Sequence, residues 1–169
     1  MPLDKHILLE FLEVLEEEIS REITIVAVGG TAMTLLDLKP STIDIDFTIP
    51  SNNLQEFQKA INNVSHGFKI DIWPDGMIFS QFLPEDYLDK SIEIKTKLKH
   101  ICLKALHPID IVATKIGRLN NRDLQDIKTC IQKFNLSRNQ IKQRAKQIEY
   151  VGRKENYTNN LQYVLKKYF

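Results

Sequence analysis

The chain has few of the features that mark disulfide-stapled, zinc-binding or membrane-spanning proteins. Its two cysteines, Cys102 and Cys130, are far apart and form no Cys-x-x-Cys or Cys/His ligand spacing, which predicts buried free thiols in a reducing compartment. The four histidines show no ligand spacing either. No apolar run approaches the roughly 20 residues of a membrane-spanning helix. The first residues do not resemble a signal peptide, so we expect a cytoplasmic protein without membrane contact.

The charges are unevenly distributed along the 169 residues, although the net charge is only +1. Residues 1–22 hold seven acids and two bases, whereas residues 128–169 hold ten bases and two acids. Such a split often accompanies an end that faces nucleic acid or a protein partner. A solvated basic helical face explains the same charges. If RNA is bound, we expect Lys142, Arg144 and Lys146 to carry that binding.

Apolar patterning predicts alternating helices and strands in the first two thirds of the chain. The β-branched run Ile23–Val28 has the length of a strand, and its unbroken apolarity predicts a central position in a sheet covered on both faces. Further helices are expected over 4–20, 31–38 and 54–64, strands over 42–49 and 68–73, and a hairpin of 91–97 with 101–106. Residues 77–90 are expected to be irregular or short-helical.

From Pro108 onward the pattern is helical to the end of the chain. A break at Asn120-Asn121 separates two helices, and two more are expected near 138–150 and 157–168. The prediction is therefore an α+β fold with a small mixed sheet flanked by helices. We expect residues 1–107 to form an α/β core and residues 108–169 a helical segment packed on it as one compact unit.

Two short motifs carry the chemistry that the sequence predicts. Gly29-Gly30 ends the first strand and opens a helix, which offers backbone N–H groups to an anion. Asp44 and Asp46 alternate in a predicted strand, so they share one face while Ile43 and the other apolar neighbours pack on the opposite face. Adjacent like charges are costly unless a cation lies between them, and Mg²⁺ prefers one or two carboxylates plus substrate phosphates. This pattern predicts a magnesium–nucleotide site.

With these motifs, the chain resembles the nucleotidyltransferase superfamily of the DNA polymerase β type. That pattern is a Gly-Gly or Gly-Ser turn, a strand with Asp-x-Asp, and a third carboxylate on a neighbouring strand. Gly29-Gly30 and Asp44-x-Asp46 match the first two parts, and Asp71 matches the third, with Glu93 as its rival.

The resemblance is closer to the branch that contains nucleotidyltransferase toxins of abortive-infection toxin–antitoxin systems, and it covers residues 23–134. The segments that match are Thr42-Ile43-Asp44-Ile45-Asp46, Lys115-Ile116-Gly117-Arg118 and Arg122-Asp123-Leu124-Gln125-Asp126. The sequence departs from that branch in two ways. Lys39 stands where an arginine is usual, and the larger C-terminal domain of the toxins is lacking.

The resemblance implies transfer of a nucleoside monophosphate from a nucleoside triphosphate to RNA or tRNA, a protein or a small molecule. It implies two Mg²⁺ ions held by Asp44, Asp46 and Asp71, with Lys115 contacting the triphosphate. The remaining nucleotide-binding residues that it implies are Gly29, Gly30, Thr31, Lys39, Thr42, Arg118 and Asp123. Two other functions remain open: an inactive module that binds nucleotide or a partner protein, and a toxin–antitoxin component whose basic helices dock an acidic, antitoxin-like partner.

Several of these residues also have plainer roles that fit the sequence. Asp71 fits the surface of an edge strand, and Asp123 fits a helix cap as well as a residue that orients Lys115. Asp126 is expected to be an exposed acid in the first turn of a helix. Trp73 fits either the core or a shelf on which a base stacks.

Overall fold

The computed structural model describes all residues from 1 to 169. Its strands are β1 (Ile23–Ala27), β2 (Ile45–Ile49), β3 (Ile70–Pro74), β4 (Met77–Ile78), β5 (Gln81–Phe82), β6 (Ile92–Glu93), β7 (Ile101–Ala105) and β8 (Glu149–Tyr150). Its helices are α1 (Lys5–Glu16), α2 (Gly29–Leu35), α3 (Ser51–Asn63), α4 (Tyr87–Lys90), α5 (Pro108–Ile116), α6 (Asn121–Phe134), α7 (Arg138–Lys146) and α8 (Lys154–Tyr168).

Five strands form a mixed sheet in the order β3-β2-β1-β7-β6. Strand β1 lies at the centre, antiparallel to β2 and parallel to β7, as expected for a strand whose residues are all buried except the half-buried Thr24. Strands β2 and β3 are parallel, and β6 pairs with β7 in an antiparallel arrangement. The structure therefore confirms the α+β fold with a mixed sheet flanked by helices.

A second, three-stranded sheet was not predicted from the sequence. Strands β4 and β5 form a hairpin, and β8 from the C-terminal segment pairs with β5. Each of these strands is only two residues long, which is too short for an alternating pattern to show. The sequence predicted a helix near 138–150. In the structure α7 ends at Lys146, because Glu149 and Tyr150 form β8.

The hydrophobic core is continuous through both parts of the chain. Leu106 and Ile111, on either side of the predicted division, are both fully buried, and α5 packs against α2, α6, α7 and α8. The two-part division itself stays a prediction.

Cys102 and Cys130 are free thiols, and burial raises the pKa of Cys130 to about 12. No helix has both the length and the apolarity needed to cross a membrane.

Arg144 ties the C-terminal helices to the rest of the fold. Its guanidinium is buried and donates to both carboxylate oxygens of Asp110, which is fully buried on α5. It also donates to Asp86, at 2.7 Å, and to Gln147. The expectation that Arg144 contributes to an RNA surface was therefore wrong, because its charge is used inside the protein.

We predict that Arg144→Met lowers the free energy of unfolding by about 3–5 kcal/mol, because Asp110 is left as a buried charge without its partner. Urea denaturation followed by circular dichroism measures this change. Lys142→Met on the exposed face of the same helix is the matched control and should stay within about 0.5 kcal/mol of the parent. Equal stability of the two variants would show that the buried ion pair does not hold α7 in place.

Candidate active site

Asp46 and Asp71 lie side by side on the parallel strands β2 and β3. They are direct register partners, so their carboxylates project from the same face of the sheet. Glu93 lies on β6, which is separated from β2 by β1 and β7. The topology therefore brings Asp71, and not Glu93, next to Asp46.

Asp44 lies in a bend before β2, and not within a strand as predicted. Strand β2 begins only at Ile45, because the backbone of Thr42 is paired with Leu3, with N–O distances of 2.7 and 2.9 Å. This pairing turns the chain, so Ile43 is 59% exposed instead of packing beneath the sheet. Asp44 is nevertheless close enough to Asp46 for their charges to interact.

Two threonine hydroxyls hold the bend that carries the aspartates. Thr31 is fully buried, donates to the carbonyl oxygen of Asp44 at 3.2 Å and accepts from the N–H of Asp46 at 3.0 Å. Thr42 donates to the same carbonyl oxygen at 3.0 Å. Because both hydroxyls are used in this way, the predicted contact of Thr31 with a nucleotide is left to its backbone.

Gly29 and Gly30 form the first residues of α2, which therefore starts two residues earlier than predicted. Gly29 has φ +53°, a left-handed conformation that glycine adopts without strain. A Cβ there would lie 3.6 Å from Oδ2 of Asp46, and a Cβ at Gly30 would lie 2.8 Å from the hydroxyl of Thr42. The two glycines thus allow the start of α2 to lie against the bend that carries the aspartates.

Asp46 is held in an electrostatically unfavourable state. Its Oδ1 atom is buried and has no hydrogen-bond partner. Burial, together with the neighbouring charges of Asp71 and Asp44, raises the pKa of Asp46 to about 6. Lys69 and Arg118 lower it in part. A buried carboxylate oxygen with no donor, next to two further acids, is suited to bind a cation.

Lys69 is a site residue that the sequence motifs did not indicate. Its ammonium is 2.9 Å from Oδ2 of Asp71 and 65% exposed. The hydrogen bond to Asp71 raises the pKa of Lys69, as do the charges of Asp71, Asp44 and Asp46. Lys69 stands two residues before Asp71, and this i, i+2 spacing was the available signal. With Asp71 bound to Lys69, no three Asp, Glu, His or Cys side chains are arranged to hold one metal ion.

Lys115, which the resemblance places against the triphosphate, is buried. Its ammonium lies 3.1 Å from Asp123 and 2.9 Å from Asp126. Lys39 lies 3.2 Å from Asp126 as well. Asp126 is thus a buried partner of two lysines, and the expectation of an exposed first-turn acid was wrong. Lys39 and Lys115 are neutralised from within the protein.

Arg118 is the exposed end of this network of charges. It makes two parallel hydrogen bonds to Asp123, of 2.8 and 2.7 Å, and its side chain is 61% exposed. Hydrogen bonding to Asp123 raises the pKa of Arg118, and the charge of Asp46 contributes in the same direction. Asp123 accepts a hydrogen bond from Lys115, and it is the N3 residue of a capping box whose N-cap is Asn120 and not Asp123.

The site therefore combines carboxylates with exposed cations on one side of the sheet. One Mg²⁺ takes one or two carboxylates and completes its shell with substrate phosphates, so Asp44 and Asp46 with the orphaned oxygen fit such an ion. The N–H groups of Arg118 that are not bonded to Asp123 remain to donate to a phosphate group. The resemblance implies a metal site of three carboxylates. For Asp71 to bind the metal ion there, its ion pair with Lys69 has to break.

The structure places a helix opened by two glycines against Asp46 on a mixed sheet, which is the arrangement that the resemblance to nucleotidyltransferases implies. Residues 6–169 match the family described as "Nucleotidyltransferase of unknown function (DUF6036)". The chain belongs to this family, which confirms the resemblance to the nucleotidyltransferase superfamily. The more specific resemblance to the abortive-infection branch stays a prediction.

Two solved structures are similar to this chain. ANT(2")-Ia in complex with adenylyl-2"-tobramycin has a TM-score of 0.51 at 10% identity, covering 96% of this chain and 99% of that chain. An antigenic nucleotidyltransferase-like protein from Paracoccidioides brasiliensis has a TM-score of 0.48 at 17% identity, covering 98% of this chain and 95% of that chain. No protein of curated function matches the chain in sequence. At such low identity, the likeness to ANT(2")-Ia shows the fold alone.

We predict that Asp46→Asn stabilises the protein at pH 7.5 and has little effect at pH 4. The folded pKa of about 6 is above the ordinary aspartate value of 3.8, so the cost of the ionised carboxylate is absent below about pH 4 and complete above about pH 6. The gain at pH 7.5 is at most about 3 kcal/mol, because a tenfold change in proton affinity corresponds to about 1.36 kcal/mol. Thermal unfolding at the two pH values measures it.

Asp37→Asn is the matched control, because Asp37 is an exposed aspartate paired only with Lys5 at the surface. It should show no such dependence on pH. A stability gain from Asp46→Asn that is the same at pH 4 and pH 7.5 would mean that the ionised Asp46 is not strained in the folded protein.

Proposed function

We propose that this protein transfers a nucleoside monophosphate from a nucleoside triphosphate to an acceptor, with Mg²⁺ and with release of pyrophosphate. The observation that carries the proposal is the buried, unpartnered Oδ1 of Asp46 beside Asp71 and Asp44. A fold gains no stability from such an oxygen. Unfavourable electrostatics of this kind are typical of functional sites.

Each site residue has a distinct role in this proposal. Asp44 and Asp46 would hold Mg²⁺, and the ion would supply positive charge opposite the phosphates and the leaving pyrophosphate. Gly29 and Gly30 allow the triphosphate to approach the backbone closely, and Arg118 donates to its oxygens. Asp71 accepts a hydrogen bond, and then the proton, from the attacking hydroxyl of the acceptor once Lys69 has moved away.

Other predicted residues act by positioning. Asp123 and Lys115 fix the orientation of Arg118, and Lys39 acts on the same network through Asp126. In the resemblance Lys115 contacts the triphosphate directly. In this chain its ammonium is enclosed by two carboxylates, so we assign it to positioning.

We predict that the purified protein transfers label from α-³²P-labelled nucleoside triphosphates to an acceptor in the presence of Mg²⁺. Total RNA, a protein mixture and hydroxylated small molecules are offered as acceptors in separate reactions. The double variant Asp44→Ala/Asp46→Ala should lose transfer by at least about 100-fold, because removing charge stabilisation at the transferred group costs several kcal/mol. Lys142→Ala is the control variant, because Lys142 lies far from the carboxylates in sequence. It is tested in parallel with a small-molecule acceptor.

Transfer that survives the double substitution, or no transfer to any acceptor class, contradicts the proposal. The second outcome, together with retained nucleotide binding, favours an inactive nucleotide-binding module. The ion pair between Lys69 and Asp71 favours this second candidate. The lysine ammonium binds the third carboxylate at the place where a catalytic metal ion would bind it.

An RNA acceptor is supported by a stripe of basic residues on α7. Arg138, Lys142 and Lys146 are exposed at i, i+4 and i+8, and they line a cleft of about 480 Å³ between α7 and α8. The stripe defines the predicted basic surface without Arg144. A toxin–antitoxin role with an acidic partner on the same stripe stays a prediction.

We predict that RNA binding weakens steeply with salt and that Lys142→Gln/Lys146→Gln reduces the magnitude of the slope of log K against log[salt] by about 1.4, which is about 0.7 for each charge removed from a single-strand site. Fluorescence anisotropy with a labelled single strand measures it between about 50 and 200 mM KCl. Lys95→Gln/Lys97→Gln, which removes two bases from outside α7 and α8, is the matched control. RNA binding that does not depend on salt would exclude the stripe as a phosphate-binding surface, and competition by an acidic protein alone would favour the partner role.

A further inference from the structure

We propose that Trp73 and Phe79 form a stacking platform for a nucleobase beside the candidate carboxylates. This inference rests on the proposed function and adds to it the group that is recognised. Trp73 lies on β3, and Phe79 lies in the turn that connects β4 to β5.

The register of the sheet places Trp73 on the face that carries the aspartates. Trp73 pairs with Thr48, and Asp71 pairs with Asp46. Because alternate residues of a strand share a face, Trp73 follows Asp71 on that face at a distance of about 7 Å along the strand. The platform is therefore next to Asp71, further along the strand, and lies on the side of the carboxylates away from Gly29.

Phe79 is held in an unfavourable position against Trp73. Its ring centroid is 4.6 Å from that of Trp73, with the rings tilted by 53°. Its backbone has φ +52°, and the residue is 54% exposed. A left-handed backbone costs a residue with a side chain roughly 1–2 kcal/mol, and exposing an aromatic ring forgoes the gain from burying it.

The turn would be more favourable with another residue at position 79. Only Phe79 and Ser80 separate β4 from β5, and two-residue hairpin turns with positive φ prefer Asn, Asp or Gly. The sequence therefore retains an aromatic ring where local structure disfavours one. The ring contacts Trp73, which lies on the face of the reaction site, so recognition of a flat ligand accounts for its presence.

A nucleobase is the flat ligand that fits this position. Every nucleobase has a flat face and can stack on an aromatic side chain. The ribose then places a phosphate or hydroxyl next to the base. A base on Trp73 therefore directs the reacting end of its nucleotide toward Asp71. It can belong to the nucleoside triphosphate or to the terminal nucleotide of an RNA acceptor, and the experiment distinguishes these two sources.

Trp73 is the only tryptophan in the chain, so its fluorescence reports on the platform directly. Three probes are titrated in the presence of Mg²⁺: a nucleoside triphosphate, a trinucleotide RNA with a free 3′ hydroxyl, and inorganic tripolyphosphate. The base-carrying probe that binds the platform should quench Trp73, and tripolyphosphate should not. Quenching by the triphosphate or by the trinucleotide identifies the source of the base.

Phe79→Asn removes the ring but suits the left-handed backbone, so it should fold at least as stably as the parent protein. Its affinity for the quenching probe should fall by about 5- to 150-fold, the effect of losing one base–aromatic stack. Phe82→Asn is the matched control. Phe82 is an exposed aromatic residue on the same hairpin, but its ring does not contact Trp73. Its affinity should be unchanged.

Equilibrium dialysis with the same probes separates the two proposals. Binding of a base-carrying probe without quenching, or with unchanged affinity in Phe79→Asn, overturns the platform and leaves the proposed function intact. Equal quenching by tripolyphosphate, or an equal loss of probe affinity in Phe82→Asn, also overturns the platform, because neither result depends on a base stacked on Trp73 and Phe79. No binding of any base-carrying probe overturns both.

Discussion

The half-buried carboxylate of Asp46, with its buried Oδ1, is the constraint around which the site is arranged. It lies at the start of β2, against the first residue of α2, with one oxygen that receives no hydrogen bond. The bend before it is held by Thr31 and Thr42, and the close approach of α2 depends on two glycines. These features fix an acid in a desolvated place, which costs stability and is explained if a cation binds there.

The cations opposite this acid come from the helical part of the chain. Arg118 is fixed by Asp123, which also binds Lys115, and Asp126 connects Lys115 to Lys39 after α2. The charges alternate along this chain of contacts, and all but Arg118 and Lys39 are buried. The helical segment thus supplies the exposed arginine of the site, and the network connects α5 and α6 to the loop after α2.

Local patterns predicted the parts of the fold that local physics determines. The unbroken apolar run of β1 indicated its central position, and Pro108 and Asn120 indicated where helices begin. Asp71 was correctly placed on the strand beside Asp46, because its strand has a clear apolar pattern of its own. The combination of glycine turn, aspartate pair and downstream lysine was enough to indicate the nucleotidyltransferase superfamily, but not the branch within it.

The misses concern contacts between distant parts of the chain. The bend at Asp44 depends on the pairing of Thr42 with Leu3, and strand alternation alone carries no sign of it. The burial of Asp126 depends on Lys39, 87 residues earlier, and on Lys115 in the preceding helix. Strand β8 exists only because β5 lies beside it. Such pairings are set by tertiary structure and leave no periodic signal.

The central claim is that Asp46 and its neighbours hold a magnesium–nucleotide complex. Isothermal titration with a non-hydrolysable nucleoside triphosphate, with and without Mg²⁺, tests it most directly in the parent protein, in Asp46→Asn and in the Asp37→Asn control. We predict Mg²⁺-dependent binding in the parent protein and in Asp37→Asn, and loss of the Mg²⁺ dependence in Asp46→Asn. Binding of the same affinity in all three proteins, or binding that does not respond to Mg²⁺, would contradict this claim.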